Sequence, residues 1–272
     1  GEYLNGERNG KGKEYYNNNF KSEGQHYNKS SEEQTHSLNN TVKIGHLGFE
    51  GEYLNGKRNG KGKEYFHNGN LQFEGDYING KRNGKGKQYF YIRQFEFDSE
   101  SQTRKEKIKQ NNINGRLKYE GEYFNGERNG KGKEYYKNGQ LKFEGEYLNE
   151  KKNGKMYEYY KNGQLKSEGE YLNEKKNGKR KEYYEDGQLK FEGQYLNGNR
   201  NGKICEYYDN GQLEFEGEYI NGKRNGKAKE FYKNGQLEFE GEYLNGKRNG
   251  KQYYTNGTLK NGVKKEKNCL IY

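Results

Sequence analysis

The same short phrase, Gly-x-Tyr, opens at Gly121, Gly145, Gly169, Gly193, Gly217 and Gly241, each glycine 24 residues after the last. The same step separates Gly51 from Gly75. A period of this length marks an array in which each unit is one supersecondary element that cannot bury its apolar face alone and stacks on its neighbours to do so. Such a chain offers repeated surface positions rather than one cleft, and its function has to be read from those positions.

The unit at 121–144 reads GEYFNGERNGKGKEYYKNGQLKFE. Its Asn138-Gly139 pair lies between two alternating runs, the strongest short-range hairpin signal, and predicts a two-residue type I′ turn. With that turn Lys137 faces Gln140, Tyr136 meets Leu141, Lys133 meets Glu144 and Lys131 meets Glu146, so opposite charges stand opposite each other. The other face carries Leu141, Phe143, Gly145 and Tyr147, the period-2 set of a half-buried strand. Gly145 lies across from Gly132, whose counterparts are Met156, Arg180, Ile204 and Ala228; glycine there leaves room for bulkier neighbours or for the tyrosines of the next hairpin. Glu134, Glu158, Glu182, Glu206 and Glu230 land on the Leu/Phe/Tyr face. A shallow, wet face is the preferred reading of that conflict, and a register-shifting bulge is the alternative.

The unit resembles the MORN repeat, in the variant form with an NGQLK-type second turn. The matching residues are Tyr119-Glu120-Gly121-Glu122-Tyr123, Asn125-Gly126, Asn129-Gly130-Lys131-Gly132 and Asn138-Gly139-Gln140-Leu141-Lys142, with Tyr123 standing where the common form has tryptophan. The resemblance recurs nine times and implies an all-β, elongated array of stacked antiparallel hairpins forming a single-layer twisted sheet. It also implies a scaffold, often near membranes and sometimes self-associating.

With 27% hydrophobic residues the chain has too little apolar content for a large core. Its 51 Lys and Arg against 40 Asp and Glu, a net charge of +11, would ordinarily argue for disorder. Against that stand 29 Tyr and 13 Phe at fixed repeat positions and a turn signal in every unit. The two cysteines, Cys205 and Cys269, are too few for a disulfide framework and favour a reducing compartment. The chain opens in mid-repeat at Gly1 and has its one methionine at Met156, so a preceding segment is expected. The array is expected to span 1–262, with a degenerate unit at about 24–50 and an insertion at about 91–112, followed by a basic tail at 263–272.

No catalytic constellation, cofactor site or metal-ligand spacing is signalled. His26, His36, His46 and His67 are scattered, and the repeated glutamates face lysines as cross-strand pairs. Two features rise above that background. The first is a basic stretch, read as a long turn, that stacking would line up into a ridge: Lys57, Arg58 and Lys61; Lys81, Arg82 and Lys85; Lys151, Lys152 and Lys155; Lys175, Lys176 and Lys179; Lys223, Arg224 and Lys227; and Lys247 with Arg248. It reads as a solubility device or as an attraction to an anionic surface. The second is Cys269, which with Lys264, Lys265 and Lys267 before it has the shape of a lipidation box, although Tyr272 is an unusual last residue.

The sequence therefore points to a non-enzymatic scaffold or protein-interaction module, cytoplasmic or peripheral to a membrane, without specific nucleic-acid binding. Its partners are other proteins, anionic membrane lipids or further copies of itself. The alternatives are a peripheral anionic-phospholipid-binding module, an antitoxin or immunity-type repeat protein, and the regulatory repeat region of an enzyme whose catalytic domain lies elsewhere.

Overall fold

The computed structural model describes residues 1–16, 46–91 and 115–260. Every regular element among them is a β-strand. The chain forms two compact units, Gly1–Leu117 and Lys118–Tyr272. In the first, β1 (Tyr3–Leu4) and β2 (Glu7–Arg8) form a two-stranded ladder, and β3 (Gly10–Tyr15), β4 (Leu47–Leu54), β5 (Lys57–Tyr65), β6 (Leu71–Ile78) and β7 (Lys81–Tyr89) pair antiparallel in chain order. The second begins with β8 (Leu117–Phe124), β9 (Glu127–Tyr135), β10 (Leu141–Leu148), β11 (Lys151–Tyr159), β12 (Leu165–Leu172) and β13 (Lys175–Tyr183). It continues with β14 (Leu189–Leu196), β15 (Asn199–Arg200), β16 (Gly202–Tyr207), β17 (Leu213–Ile220), β18 (Lys223–Phe231), β19 (Leu237–Leu244) and β20 (Lys247–Gln252). Neighbours in chain order pair antiparallel here too, with β15 and β16 both on β14. The stacked hairpins of the sequence reading are therefore present in both units.

Two kinds of turn alternate along the array. Asn125 and Gly126, at φ 52° and 94°, are both left-handed and make the tight type I′ turn that joins β8 to β9. Glutamate replaces that glycine at Glu150 and Glu174, at φ 65° and 68°. There the carboxylate accepts a hydrogen bond from a backbone N–H one unit back, Arg128 N or Lys152 N, each at 2.7 Å, which offsets the cost of a left-handed residue bearing a β-carbon.

The turn at Asn138-Gly139 differs from the two-residue turn that the sequence suggests. Of its residues only Gly139 is left-handed, at φ 89°. Gly139 N donates to Tyr136 O at 2.9 Å and Tyr136 N to Gln140 O at 2.8 Å, so the loop has three residues and ends in a glycine bulge. The Asn138 side chain favours this form by accepting from Gln140 N at 3.1 Å. Leu141 consequently pairs with Tyr135 instead of Tyr136, and an irregularity before Phe143 restores the expected register, with Phe143 on Glu134, Glu144 on Lys133 and Glu146 on Lys131.

The same corner of the unit is where the chain departs from its period. Tyr15 pairs with Leu47 and Tyr16 N donates to His46 O at 2.8 Å, the geometry that closes a three-residue loop elsewhere. Phe90 N donates to Arg116 O at 2.9 Å in the equivalent geometry. The degenerate unit and the insertion otherwise lie outside the described residues, as does the tail at 263–272.

The tight-turn side carries a bulge. Gly145 pairs with Met156 but Tyr147 with Lys152, which leaves two surplus residues on β11 around the left-handed Gly154, φ 91°. The glutamate of the Gly-Glu-Tyr phrase fills this bulge: a β-carbon on Gly154 would come within 2.6 Å of Glu146 Oε2. The last unit lost two residues after Gly250. Its strands β19 and β20 pair without any shift, from Leu244 on Lys247 to Phe239 on Gln252.

The core of each unit is a layer of rings on one face of its sheet. Phe49, Phe73, Tyr119, Phe191, Phe215 and Phe239 are fully buried, and each meets the tyrosine four residues on. Phe49 also meets Tyr77 of the following unit edge-on at 5.3 Å, the preferred geometry for two aromatic quadrupoles. Glycines floor this layer. A β-carbon on Gly62 would stand 2.5 Å from Phe49 Cζ.

Candidate interaction surface

On the ring face each cation at the second position of the basic stretch turns inward. The Arg58 guanidinium lies 4.0 Å from the centroid of the Phe49 ring, Arg82 lies 4.1 Å from Phe73, Arg128 4.3 Å from Tyr119, and Arg224 4.1 Å from Phe215. Each guanidinium also meets glutamate, and Arg58, Arg128 and Arg224 each join two. In the first unit Arg8 meets Glu14 at 2.8 Å, Arg58 meets Glu14 at 2.6 Å and Glu64 at 3.3 Å, and Arg82 meets Glu64. In the second, Arg224 lies 3.3 Å from Glu206 and 3.0 Å from Glu230, which Arg248 meets at 2.6 Å. A ladder of alternating charge therefore runs over the rings of each unit. Tyrosine hydroxyls join it, Tyr53 donating to Glu14 and Tyr77 to Glu64, each at 2.8 Å.

This ladder corrects the expectation of a shallow, wet face. The glutamates sit beside buried rings because their charge is matched by hydrogen-bonded partners, the condition under which an ionised carboxylate tolerates burial. Neither is the bulge the answer, since it lies beyond Glu134 and leaves that residue on the ring face, opposite Phe143. Burial acts to raise the Glu14 carboxyl, but hydrogen bonds from Arg58 and Tyr53 outweigh it and hold the group below the usual carboxylate range. Glu182 and Glu230 are lowered in the same way, through Lys176 and Arg180 and through Arg248 and Tyr243. Burial first, and then the bond to Glu14, pushes the Tyr53 hydroxyl up to about 12. Burial lowers the Lys152 ammonium, which lies 3.1 Å from the centroid of the Phe143 ring.

The opposite face is polar. Lys61 meets Asp76 at 2.5 Å, Lys133 meets Glu144 at 3.4 Å, and Lys181 and Lys229 repeat that pair with Glu192 and Glu240. Tyr65 and Tyr135 close the row by donating to Glu50 and Glu120, each at 2.5 Å. In the second unit these side chains line a trough of ≈ 940 Å³, floored by Gly193, Gly217 and Gly241. Cys205 occupies a lysine position in it, between Glu192 and Glu216, and burial raises its thiol. His67 stacks on Tyr16 with centroids 3.9 Å apart.

The basic stretch is consequently strand rather than turn, and it is divided between the two faces. Arg58, Arg82, Lys152, Lys176 and Arg224 are half-buried over the rings, and Arg248, more exposed, joins the same ladder. Lys57, Lys81, Lys151, Lys175, Lys223 and Lys247 are exposed beside the tight turns, and Lys61, Lys85, Lys155, Lys179 and Lys227 are exposed farther along the same strands. Cys269 lies outside the described residues.

One feature of this surface went unread in the sequence. Opposite each exposed first lysine stands an exposed aliphatic residue: Leu54 pairs with Lys57, Ile78 with Lys81, Leu148 with Lys151, Leu172 with Lys175, Ile220 with Lys223, and Leu244 with Lys247. In the second unit exposure runs from 45% at Leu148 to 71% at Leu244, so the row remains in water. The signal was the recurrence of Leu or Ile, with Phe once at Phe124, immediately before the tight Asn-Gly and Asn-Glu turns, on the face opposite the rings.

Comparison with known protein families bears on the same repeats. The MORN repeat matches residues 1–20, 49–71, 73–92, 119–141 and 239–259. The MORN repeat variant matches 152–173, 176–197, 200–221 and 224–245. A comparison with curated proteins finds no match. Together the repeat matches cover well over half of the chain, and they fall on the hairpins whose rings and glycines define the fold: the chain belongs to the MORN repeat family.

Proposed function

We propose that this chain is a non-enzymatic scaffold that binds other proteins through side chains repeated along its polar face. The observation that carries this reading is the exposed Leu–Lys pair beside successive tight turns, which offers the same small contact once per unit. Contacts of that kind are weak singly and add through multivalency. The ring face is already committed to its own charge ladder, which leaves the polar face as the presenting side. MORN repeats are consistent with such a scaffold or interaction module.

A second reading, attachment to an anionic membrane, draws on the exposed lysines at 57, 81, 151, 175, 223 and 247. Each basic residue near an anionic leaflet contributes about 1 kcal/mol, so several engaged together suffice for a peripheral attachment. Two assays separate the readings. Recovery of partner proteins on the immobilised chain, lost in the triple variant Leu148→Glu, Leu172→Glu and Ile220→Glu, supports the scaffold. Flotation with anionic but not neutral liposomes, with no protein partner recovered, replaces it with the membrane reading.

A further inference from the structure

Deepening the scaffold reading and resting on it, we infer that the Leu–Lys row of the second unit docks an acidic, extended segment of a partner protein carrying an apolar side chain at every third residue. The first ground is charge. Three lysines farther along the polar face of this unit have carboxylates, Lys133 with Glu144, Lys181 with Glu192 and Lys229 with Glu240. Lys151, Lys175, Lys223 and Lys247 have no ion-pair partner among the described residues, and the turn glutamates beside two of them are engaged with Arg128 N and Lys152 N. The row is therefore a line of unmatched cations alternating with exposed aliphatic groups, and its complement is a line of carboxylates alternating with apolar groups.

The second ground is period. Equivalent residues in successive units are two strands apart, about 9.6 Å. A polyproline-type chain advances about 9.3 Å in three residues and returns each third side chain to the same side. Seven residues of an α-helix advance about 10.5 Å. Over the five steps from Phe124 to Leu244 the extended chain drifts by about 1.5 Å and the helix by about 4.5 Å, so only the former stays in register along the unit. A β-strand ligand alternates its side chains by two and would present every second apolar group to water. In the polyproline form an acidic residue one or two places after each apolar one falls within reach of the lysine that lies about 4.8 Å along the row.

A single chain is also narrow enough to touch this row alone. A lipid leaflet laid on the same face would meet the exposed Glu146, Glu170, Glu218 and Glu242, which stand two residues before each aliphatic group. The row itself has two departures, Phe124 with Glu127 and Leu196 with Asn199, where the cation is missing. They predict weaker demand for acid at the corresponding places of the ligand.

The test uses the full chain and a fluorescein-labelled peptide of six Leu-Glu-Pro repeats, read by fluorescence anisotropy at low and high salt. The controls are a peptide of six Leu-Lys-Pro repeats and a peptide of six Leu-Glu-Pro-Ser repeats, which keeps the number of leucines and carboxylates but sets the leucines four residues apart. Binding of the Leu-Glu-Pro peptide, weakened by salt and absent for both controls, is expected. The variant Lys151→Glu, Lys175→Glu, Lys223→Glu should lose it by on the order of tenfold and gain affinity for Leu-Lys-Pro; these side chains are exposed, and an unchanged circular dichroism spectrum confirms that the variant folds. Equal binding of the four-residue-spaced peptide overturns the inference, as does flotation with anionic liposomes by a protein that ignores all three peptides. If no peptide binds but protein partners are still recovered in an Ile220-dependent manner, the inference fails and the scaffold reading stands.

Discussion

Arg180 Nη2 donates to Ser167 Oγ at 2.5 Å, in the place where other units hold a buried ring. Ser167 occupies the position of Phe143 and Phe191, and Arg180 that of Met156 and Ile204, so one unit has exchanged an aromatic ring on one strand for a long side chain on the next. Both residues are buried, at 1% and 4% exposure. The guanidinium reaches Glu182 at 2.8 Å and Glu158 at 3.7 Å, which binds the substitution into the charge ladder. The long Arg180 side chain thus lies against a small serine where the neighbouring repeats have a ring.

This exchange makes the two positions interdependent. Ser167→Phe should overfill the layer while Arg180 remains, costing about 1–3 kcal/mol. Combined with Arg180→Ile it should recover much of that loss, because the pair then matches Phe191 with Ile204. Denaturant midpoints of the wild type, both single variants and the double variant give the coupling, expected at about 0.5–3 kcal/mol for residues in contact. Additive effects would show that the ring and the guanidinium do not share space.

The glycines of the ring layer are there for want of room. A β-carbon on Gly51 would lie 2.7 Å from the backbone Cα of Gly62 and 2.7 Å from Phe49 Cζ. Gly51→Val should therefore part β4 from β5 and lower the thermal midpoint of the first unit, with a cost of about 1–3 kcal/mol. An unchanged melting profile and far-ultraviolet spectrum would show that the strands separate at little cost.

The ladder makes stability depend on pH at both ends. Glu14, Glu182 and Glu230 are lowered in the folded chain, so their contribution is present above the unfolded carboxyl value of about 4.3 and is lost as pH falls through the folded values. Tyr53 is raised to about 12 in the folded chain against about 10 unfolded, so its contribution is complete below pH 10 and is lost as pH rises through about 12. Glu230→Gln should flatten the acid limb of a stability-pH curve, and Tyr53→Phe, which keeps the ring, the alkaline limb. Urea midpoints across the pH range check both, and parallel curves for variant and wild type would remove these groups from the linkage.

Much of the fold was legible because the strand signal is local. The Asn-Gly pairs, the two-residue alternation and the 24-residue step fixed hairpins, strand faces and the pairing of Lys133 with Glu144. The turn at Asn138-Gly139 was misread because Asn-Gly serves both a type I′ turn and the end of a three-residue loop, and the distinction lies in the Asn138 side chain bonding Gln140 N. The ladder was not legible, since Arg58 meets Glu14 and Glu64 only once bulged strands from different units are stacked. Alternation alone gave Arg58 no face, because the bulge around Gly60 intervenes between it and Glu64. The exposed Leu–Lys row was written in the sequence, but an aliphatic residue beside a turn looks like ordinary strand until its neighbours on the same face prove to be in water.

Adjacent cations in one strand should behave as different kinds of residue. Lys223 is exposed opposite Ile220, whereas Arg224 lies over Phe215 and bridges Glu206 and Glu230. Removing Lys223 takes away one solvated charge, worth about 0–1 kcal/mol at most. Removing Arg224 uncovers a ring and deprives two half-buried carboxylates of a shared donor, a loss of about 2 kcal/mol on the scale of hydrogen bonds to charged groups. Lys223→Ala should thus leave the denaturant midpoint nearly unchanged while reducing salt-sensitive binding of an acidic ligand or surface. Arg224→Ala should do the reverse, and Arg224→Lys should restore the midpoint only in part, since one ammonium lacks the planar fork that spans both glutamates. Equal destabilisation by Lys223→Ala and Arg224→Ala would mean that the two faces are not separated as the strand alternation places them.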